Sequence, residues 1–222
     1  MTKRTGIAVF FSALLAGLCI GLGGTVFLRV RDSFPGGTVV GAFLFAVGLL
    51  TICTRGYDLF TGKACYLLDQ ENKPVYILRL LITWLGNLCG TCLVAGIELL
   101  TGIGDGLRQT ARAMVDGKLS APLLSLFLLA ALCNIFIFIA VDGYKNNPHQ
   151  LGKYLSLFLG VMVFILCGTE HSIADMYYWA VSGALFEVPG ASLLRLAVIS
   201  LGNVCGGLIL PGIEKLNKKM LA

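Results

Sequence analysis

Six stretches of this chain contain no charged residue and approach the length of a membrane span: 6–28, 38–54, 80–97, 119–141, 154–169 and 196–213. A helix needs about 20 mostly apolar residues to cross a hydrocarbon core about 30 Å thick. Lipid offers the backbone no hydrogen-bond partners, so such segments fold as helices that satisfy their own N–H and C=O groups. The pattern predicts one all-α transmembrane domain over residues 1–222, with six transmembrane helices. The composition agrees: 57% of residues are apolar, 13% are charged, and the mean hydropathy is +0.85. A net charge of +5 with no long basic run argues against a nucleic-acid partner and leaves membrane lipid as the surroundings.

Lys3 and Arg4 precede the first stretch as they would in a signal peptide, but its 23 uncharged residues exceed a signal core, so it is read as a helix. Seven cysteines (Cys19, Cys53, Cys89, Cys92, Cys133, Cys167 and Cys205) lie inside apolar stretches, Cys89 and Cys92 separated by two residues within one of them. They read as small residues that let helices approach, not as disulfides or metal ligands, and neither a metal nor a cofactor is expected. Ten basic residues (Lys3, Arg4, Lys63, Lys73, Arg79, Lys145, Lys153, Lys215, Lys218, Lys219) fall on one side of the predicted spans and six (Arg29, Arg31, Arg108, Arg112, Lys118, Arg195) on the other. The positive-inside rule then puts both termini in the cytoplasm, in a bacterial-type inner or plasma membrane.

The chain also matches itself. Leu14-Leu15-Ala16-Gly17-Leu18-Cys19 agrees with Leu128-Leu129-Ala130-Ala131-Leu132-Cys133 at five of six positions, and Leu85-Gly86-Asn87-Leu88-Cys89-Gly90 with Leu201-Gly202-Asn203-Val204-Cys205-Gly206 at five of six. The two offsets, 114 and 116 residues, are nearly equal and in order, which indicates a tandem duplication: repeat 1 over about 1–110 and repeat 2 over about 118–222. Three spans per copy oblige the second copy to enter from the opposite face, giving two inverted three-helix repeats. Asn87 and Asn203 have two readings at this point: hydrogen bonds between close-packed helices, or groups lining a pore.

The second and fifth stretches are the shortest, 17 and 16 uncharged residues, and occupy corresponding places in the copies. Each runs into a polar cluster, Arg55-Gly56-Tyr57-Asp58-Leu59-Phe60-Thr61-Gly62 or Gly168-Thr169-Glu170-His171-Ser172. The middle helix of each repeat is therefore expected to be broken, restarting after Thr61 and after His171. Non-helical backbone at membrane depth implies a polar path, and half-helix N-termini aimed at the joints would favour anions. Glu170 and His171 lie where a charge costs about 2.5–3.5 kcal/mol. Either they act on a permeating species, or His171 is a hydrogen-bonded packing residue and Glu170 is ion-paired.

These joints carry a resemblance. Gly56-Tyr57-Asp58-Leu59-Phe60-Thr61-Gly62 resembles the Gly-x-Glu-Leu-Phe-Thr loop of the formate/nitrite transporter family, and Glu170-His171-Ser172-Ile173-Ala174-Asp175-Met176 resembles its Glu-His-Ser-(Val/Ile)-Ala-Asn-Met segment. Leu132-Cys133-Asn134 and Gly202-Asn203-Val204-Cys205-Gly206-Gly207 are similar to further family motifs. The resemblance implies an aquaporin-like fold, a homo-pentamer with one pore per subunit, and passage of small monovalent anions with protons as a second partner. It makes His171 the central pore histidine, Thr61 the hydroxyl facing it, and Leu49 and Phe164 the apolar constriction, with Phe45, Leu59 and Phe60 along the same path. Lys118, sixteen residues before Asn134, matches the family's basic residue and is expected in a network with Glu170 and Asn203; its other reading is an interfacial anchor. Asp58, Lys63 and Asp175 depart from the family's usual residues.

The mechanism expected from this resemblance is passage of a weak-acid anion such as formate, nitrite or hydrosulfide, with His171 giving it a proton or a strong hydrogen bond at the apolar layer. A neutral-solute channel is the alternative. An intramembrane enzyme built on His171 with Asp58 or Asp175 has no HExxH spacing or serine-nucleophile motif behind it.

Overall fold

The computed structural model describes residues 5–221, so Lys3 and Arg4, two of the expected topology signals, lie outside the described residues. Every regular element among them is helical. Five helices are long and apolar enough to cross a membrane: α1 (Gly6–Val30), α2 (Gly37–Arg55), α4 (Lys73–Leu99), α6 (Leu123–Asn146) and α10 (Pro189–Met220). The fifth predicted span is the shorter apolar α7 (Gln150–Leu166), 17 residues, which continues past a joint into α8 (Ser172–Val181). The remaining elements are α3 (Phe60–Ala64), a 3₁₀ turn at Leu67–Asp69, α5 (Gly104–Ser120) and α9 (Ala184–Glu187).

Local chemistry explains these boundaries. Thr5 caps α1 by accepting from the Ala8 N–H, and Asn72 caps α4 by accepting from Val75. The connector α5 buries Leu107, Ala111 and Val115, four residues apart on one stripe. Its charges suit the helix dipole, with Asp105 in the first turn and Lys118 in the last. The spanning helices turn large apolar groups such as Ile7, Leu78, Leu124 and Leu201 outward, the arrangement lipid favours.

The matching segments pack alike. α1 lies along α4 and α6 along α10, with glycines at both seams. A Cβ at Gly90 would meet the Leu14 carbonyl oxygen, and one at Gly206 would meet the Ala131 carbonyl oxygen, so neither seam admits a larger residue without moving backbone. Every residue of the ten-residue α8 is buried, and it forms the centre of the molecule with Ile173, Met176, Tyr177 and Trp179 at its core.

Both middle helices are broken. α2 ends at Gly56 (φ +71°) and α7 is followed by Gly168 (φ +63°), left-handed conformations that favour glycine. Gly56, Asp58 and Phe60 each precede Gly168, Glu170 and Ser172 by 112 residues. One boundary differs from expectation: the first half-helix restarts at Phe60, so Thr61 sits inside α3, and that helix is only five residues long. The cause is Leu59, held extended (φ −97°, ψ 126°) as the N-cap while Asn87 takes the Phe60 N–H.

Candidate functional site

The joints are fastened by two asparagines. Asn87 Oδ1 accepts from the Phe60 N–H (2.9 Å), and its Nδ2 donates to the carbonyls of Ala13 (2.7 Å) and Asp58 (3.0 Å). Asn203 repeats the pattern, accepting from the Ser172 N–H (2.9 Å) and donating to the carbonyls of Ala130 and Glu170 (both 2.8 Å). Both amides are fully buried, and both N–H groups of each are committed to backbone. Of the two readings for these residues, the geometry is that of hydrogen bonds between packed helices. The first N–H of each half-helix is also occupied, which removes it from the anion-binding role expected of the half-helix ends.

His171 caps α8. Its Nδ1 accepts the Ala174 N–H at 3.1 Å, while Nε2 lies 3.0 Å from the Thr61 hydroxyl. A backbone N–H can only donate, so Nδ1 presents a lone pair and the ring proton of the neutral imidazole is on Nε2, toward Thr61. With Nε2–H donating to Oγ1, the Thr61 O–H is left to donate in turn. Thr61 is held from behind by Asn134, whose Nδ2 donates to the Thr61 carbonyl (3.1 Å). The Phe164 ring stacks on the imidazole (5.4 Å between centroids, 20°), and Phe45 meets Phe164 edge-on (6.2 Å, 89°). Leu49, one turn beyond Phe45 on α2, is buried with Leu59 and Phe60, so two polar groups face each other inside an apolar sleeve.

Next to this layer is a buried charge cluster. Lys118 pairs with the Glu170 carboxylate and lies 2.9 Å from Asp175 Oδ1. The three side chains are 14%, 7% and 2% exposed, and Arg195 ties the end of α5 inward by donating to the carbonyls of Lys118 and Leu119. Lys118 is turned into the protein, not out as an interfacial anchor. Asn203 reaches the cluster through the Glu170 carbonyl alone. Asp175 is the member absent from the expected network.

On the other side of the layer a cavity of about 940 Å³ runs from Leu49 and Leu59 to Lys63, Arg79, Lys145 and Lys153. Lys63 pairs with Asp58 at 3.0 Å, and Lys145 sits 4.5 Å over the Tyr66 ring. In the sequence these cations served as orientation signals, Lys63 also as a departure from the family's pattern. Their spacing gives no hint that they converge on one cavity, because they come from α3, α4, α6 and α7.

The sequence pattern of the formate/nitrite transporter family matches residues 2–215. The chain belongs to that family. Among individual proteins, it is 29% identical to the uncharacterized transporter YwcJ of Bacillus subtilis, over 90% of this chain and 84% of the other. It is 27% identical to the nitrite transporter NirC of Salmonella typhimurium, over 96% of this chain and 84% of the other. A solved pentameric formate channel with formate bound shares the fold, with a TM-score of 0.82 at 24% identity over 99% of this chain and 100% of that one. Membership and the run of apolar helices make this formate/nitrite transporter family member a multi-pass integral membrane protein of a channel and transporter class.

Proposed function

We propose that the chain conducts small monovalent anions of weak acids, such as formate, nitrite or hydrosulfide, along a path from the cation-lined cavity, past Leu49, Phe164 and the Thr61–His171 pair, to the Lys118 cluster. The observation that carries this reading is the Thr61–His171 pair: two hydrogen-bond donors set among apolar side chains. A bare charge in such a layer is strongly disfavoured, and a donor that meets the ion there lowers its desolvation cost. The cations that line the cavity raise the local anion concentration before that step.

The cap bond refines the role of His171. An imidazolium carries N–H on both nitrogens, so charging His171 sacrifices the bond from the Ala174 N–H. The neutral ring donates from Nε2, so His171 acts first as a hydrogen-bond donor; proton delivery requires α8 to lose its cap during transport. Assembly as a homo-pentamer is supported by likeness to the pentameric formate channel. The cytoplasmic placement of both termini is supported by the basic bias. The matched joints and seams support two inverted repeats, about 1–110 and 118–222.

Flux in liposomes tests the reading. Formate and nitrite should cross, and uncharged solutes of similar size should not; faster passage of water or another neutral solute, indifferent to substrate charge, would instead favour the neutral-solute channel. His171→Asn keeps a donor and removes the titratable ring. Loss of pH dependence in that variant would mean the proton is used, whereas an unchanged pH profile leaves His171 as a donor only.

A further inference from the structure

The Lys118 cluster holds two buried carboxylates and one ammonium that is 14% exposed. Fully ionised, it would carry an uncompensated negative charge, which burial penalises heavily. Asp175 Oδ1 faces Lys118, but Asp175 Oδ2 is buried with no hydrogen-bond partner. Glu170 and Asp175 both meet the one Lys118 ammonium, which brings their carboxyl groups together, and two carboxyl groups can bond only through a hydrogen on one of them. The position is also singular in the chain: 112 residues earlier, in the equivalent place after the first joint, stands Lys63, paired with Asp58.

We propose that Asp175 holds a proton on Oδ2, donated to Glu170, and that this proton controls anion entry at the Lys118 end of the path; the inference rests on the anion-conduction reading above. With the proton in place, the cluster is neutral and Lys118 can turn toward an arriving anion. Without it, the cluster is negative and repels that anion. The surrounding ionisable groups do not replace Lys118 and Glu170. On α6 the neighbour is Cys133, and on α8 it is Tyr178, with Arg31 of α1 acting on Tyr178. On α10 Arg195 is committed to carbonyls of α5, and Glu98 of α4 bonds Tyr177 and Thr25 instead. His171 directs its nitrogens to Ala174 and Thr61.

The full-length protein in liposomes provides the test, with formate as the probe and equal pH on both sides. Between about pH 6 and pH 9 formate stays ionised, so its own titration cannot shape the curve. Wild-type flux should fall about 10-fold across a rise in pH, the size of effect expected from one added charge at a confined mouth. Asp175→Asn should give a flat profile at the rate the wild type reaches in acid. An Asp175→Asn profile with the wild-type slope overturns the proposal. Infrared spectra decide the proton directly: the wild type at neutral pH should show the C=O stretch of a buried carboxylic acid, lost in Asp175→Asn. No such band in the wild type, or a band lost in Glu170→Gln but retained in Asp175→Asn, overturns the assignment. If the wild type passes no formate at any pH, the conduction reading fails while the infrared result still judges the proton.

Discussion

Replacing Asn203 with Ala removes three hydrogen bonds at the second joint, and their worth can be ranked from their partners. The Ala130 carbonyl lies within α6 and retains a helical bond, so losing its second partner costs little. The Ser172 N–H and the Glu170 carbonyl lie at the non-helical joint and are buried. Leaving a buried polar group unpaired costs about 1–3 kcal/mol, although interhelical bonds in membranes average about 0.6 kcal/mol. The expected loss for Asn203→Ala is therefore roughly 2–5 kcal/mol. Asn87→Ala strips the same set from the first joint (Phe60 N–H, Asp58 carbonyl and Ala13 carbonyl), so its loss should be equal within about 1 kcal/mol. Unfolding of the full-length variants in detergent, followed by circular dichroism against denaturant, measures both. A loss below about 1 kcal/mol for either variant, or a several-fold difference between them, would refute the view that these residues fasten equivalent joints.

Lys118→Ala leaves Glu170 and Asp175 without their cation and should cost about 3–5 kcal/mol in detergent unfolding. Adding Glu170→Gln and Asp175→Asn should restore stability but not anion flux, separating the fold role of Lys118 from its transport role. Gly206→Leu drives a side chain into the Ala131 carbonyl and should abolish a folded peak in size-exclusion chromatography, whereas Gly96→Ala, in open space, should leave it unchanged. Glu187, outside the spans, is held below the usual carboxylate range, first by its hydrogen bond from Arg112 and then by Arg108. A depressed folded pKa adds stability above the ordinary value of 4.5 that is lost as pH falls through the folded value, so hydrogen exchange in α5 should quicken only in acid below that ordinary value. An experimental structure should superpose residues 1–110 on 118–222 by about half a turn about an axis in the membrane plane; copies related by translation would refute the inverted repeat.

Five long apolar helices and both joints were legible in the sequence because lipid imposes a strict rule: apolar stretches of fixed length, and polar residues only where something satisfies them. The meeting of His171 and Thr61 was reached through motif resemblance, since no local pattern links residues 110 positions apart. The task of Asn203 was not legible, because an amide beside packing glycines suits a helix seam and a pore wall equally well. Nor was the pairing of Asp175 with Lys118, whose partners stand on α8 and the α5 connector and meet only when α5 folds inward under Arg195. The shortness of α3 was not legible because apolar residues resume after Lys63, from Ala64 to Leu68, while the chain turns there instead.

The fastening of the two joints bears on how fast such a protein can work. A transporter that rocks between inward and outward states needs hinges, and a break in a helix is a natural place to look for one. Here each break is closed by an amide with both N–H groups and its oxygen engaged, so bending there would sacrifice buried bonds in every cycle. What remains movable is small: the Thr61 hydroxyl and the rings of Phe45 and Phe164. Side-chain rotations of that kind leave the helices in place, where domain rocking moves them over microseconds to milliseconds. A molecule so braced should show the shallow temperature dependence of a pore and not the steep one of a carrier.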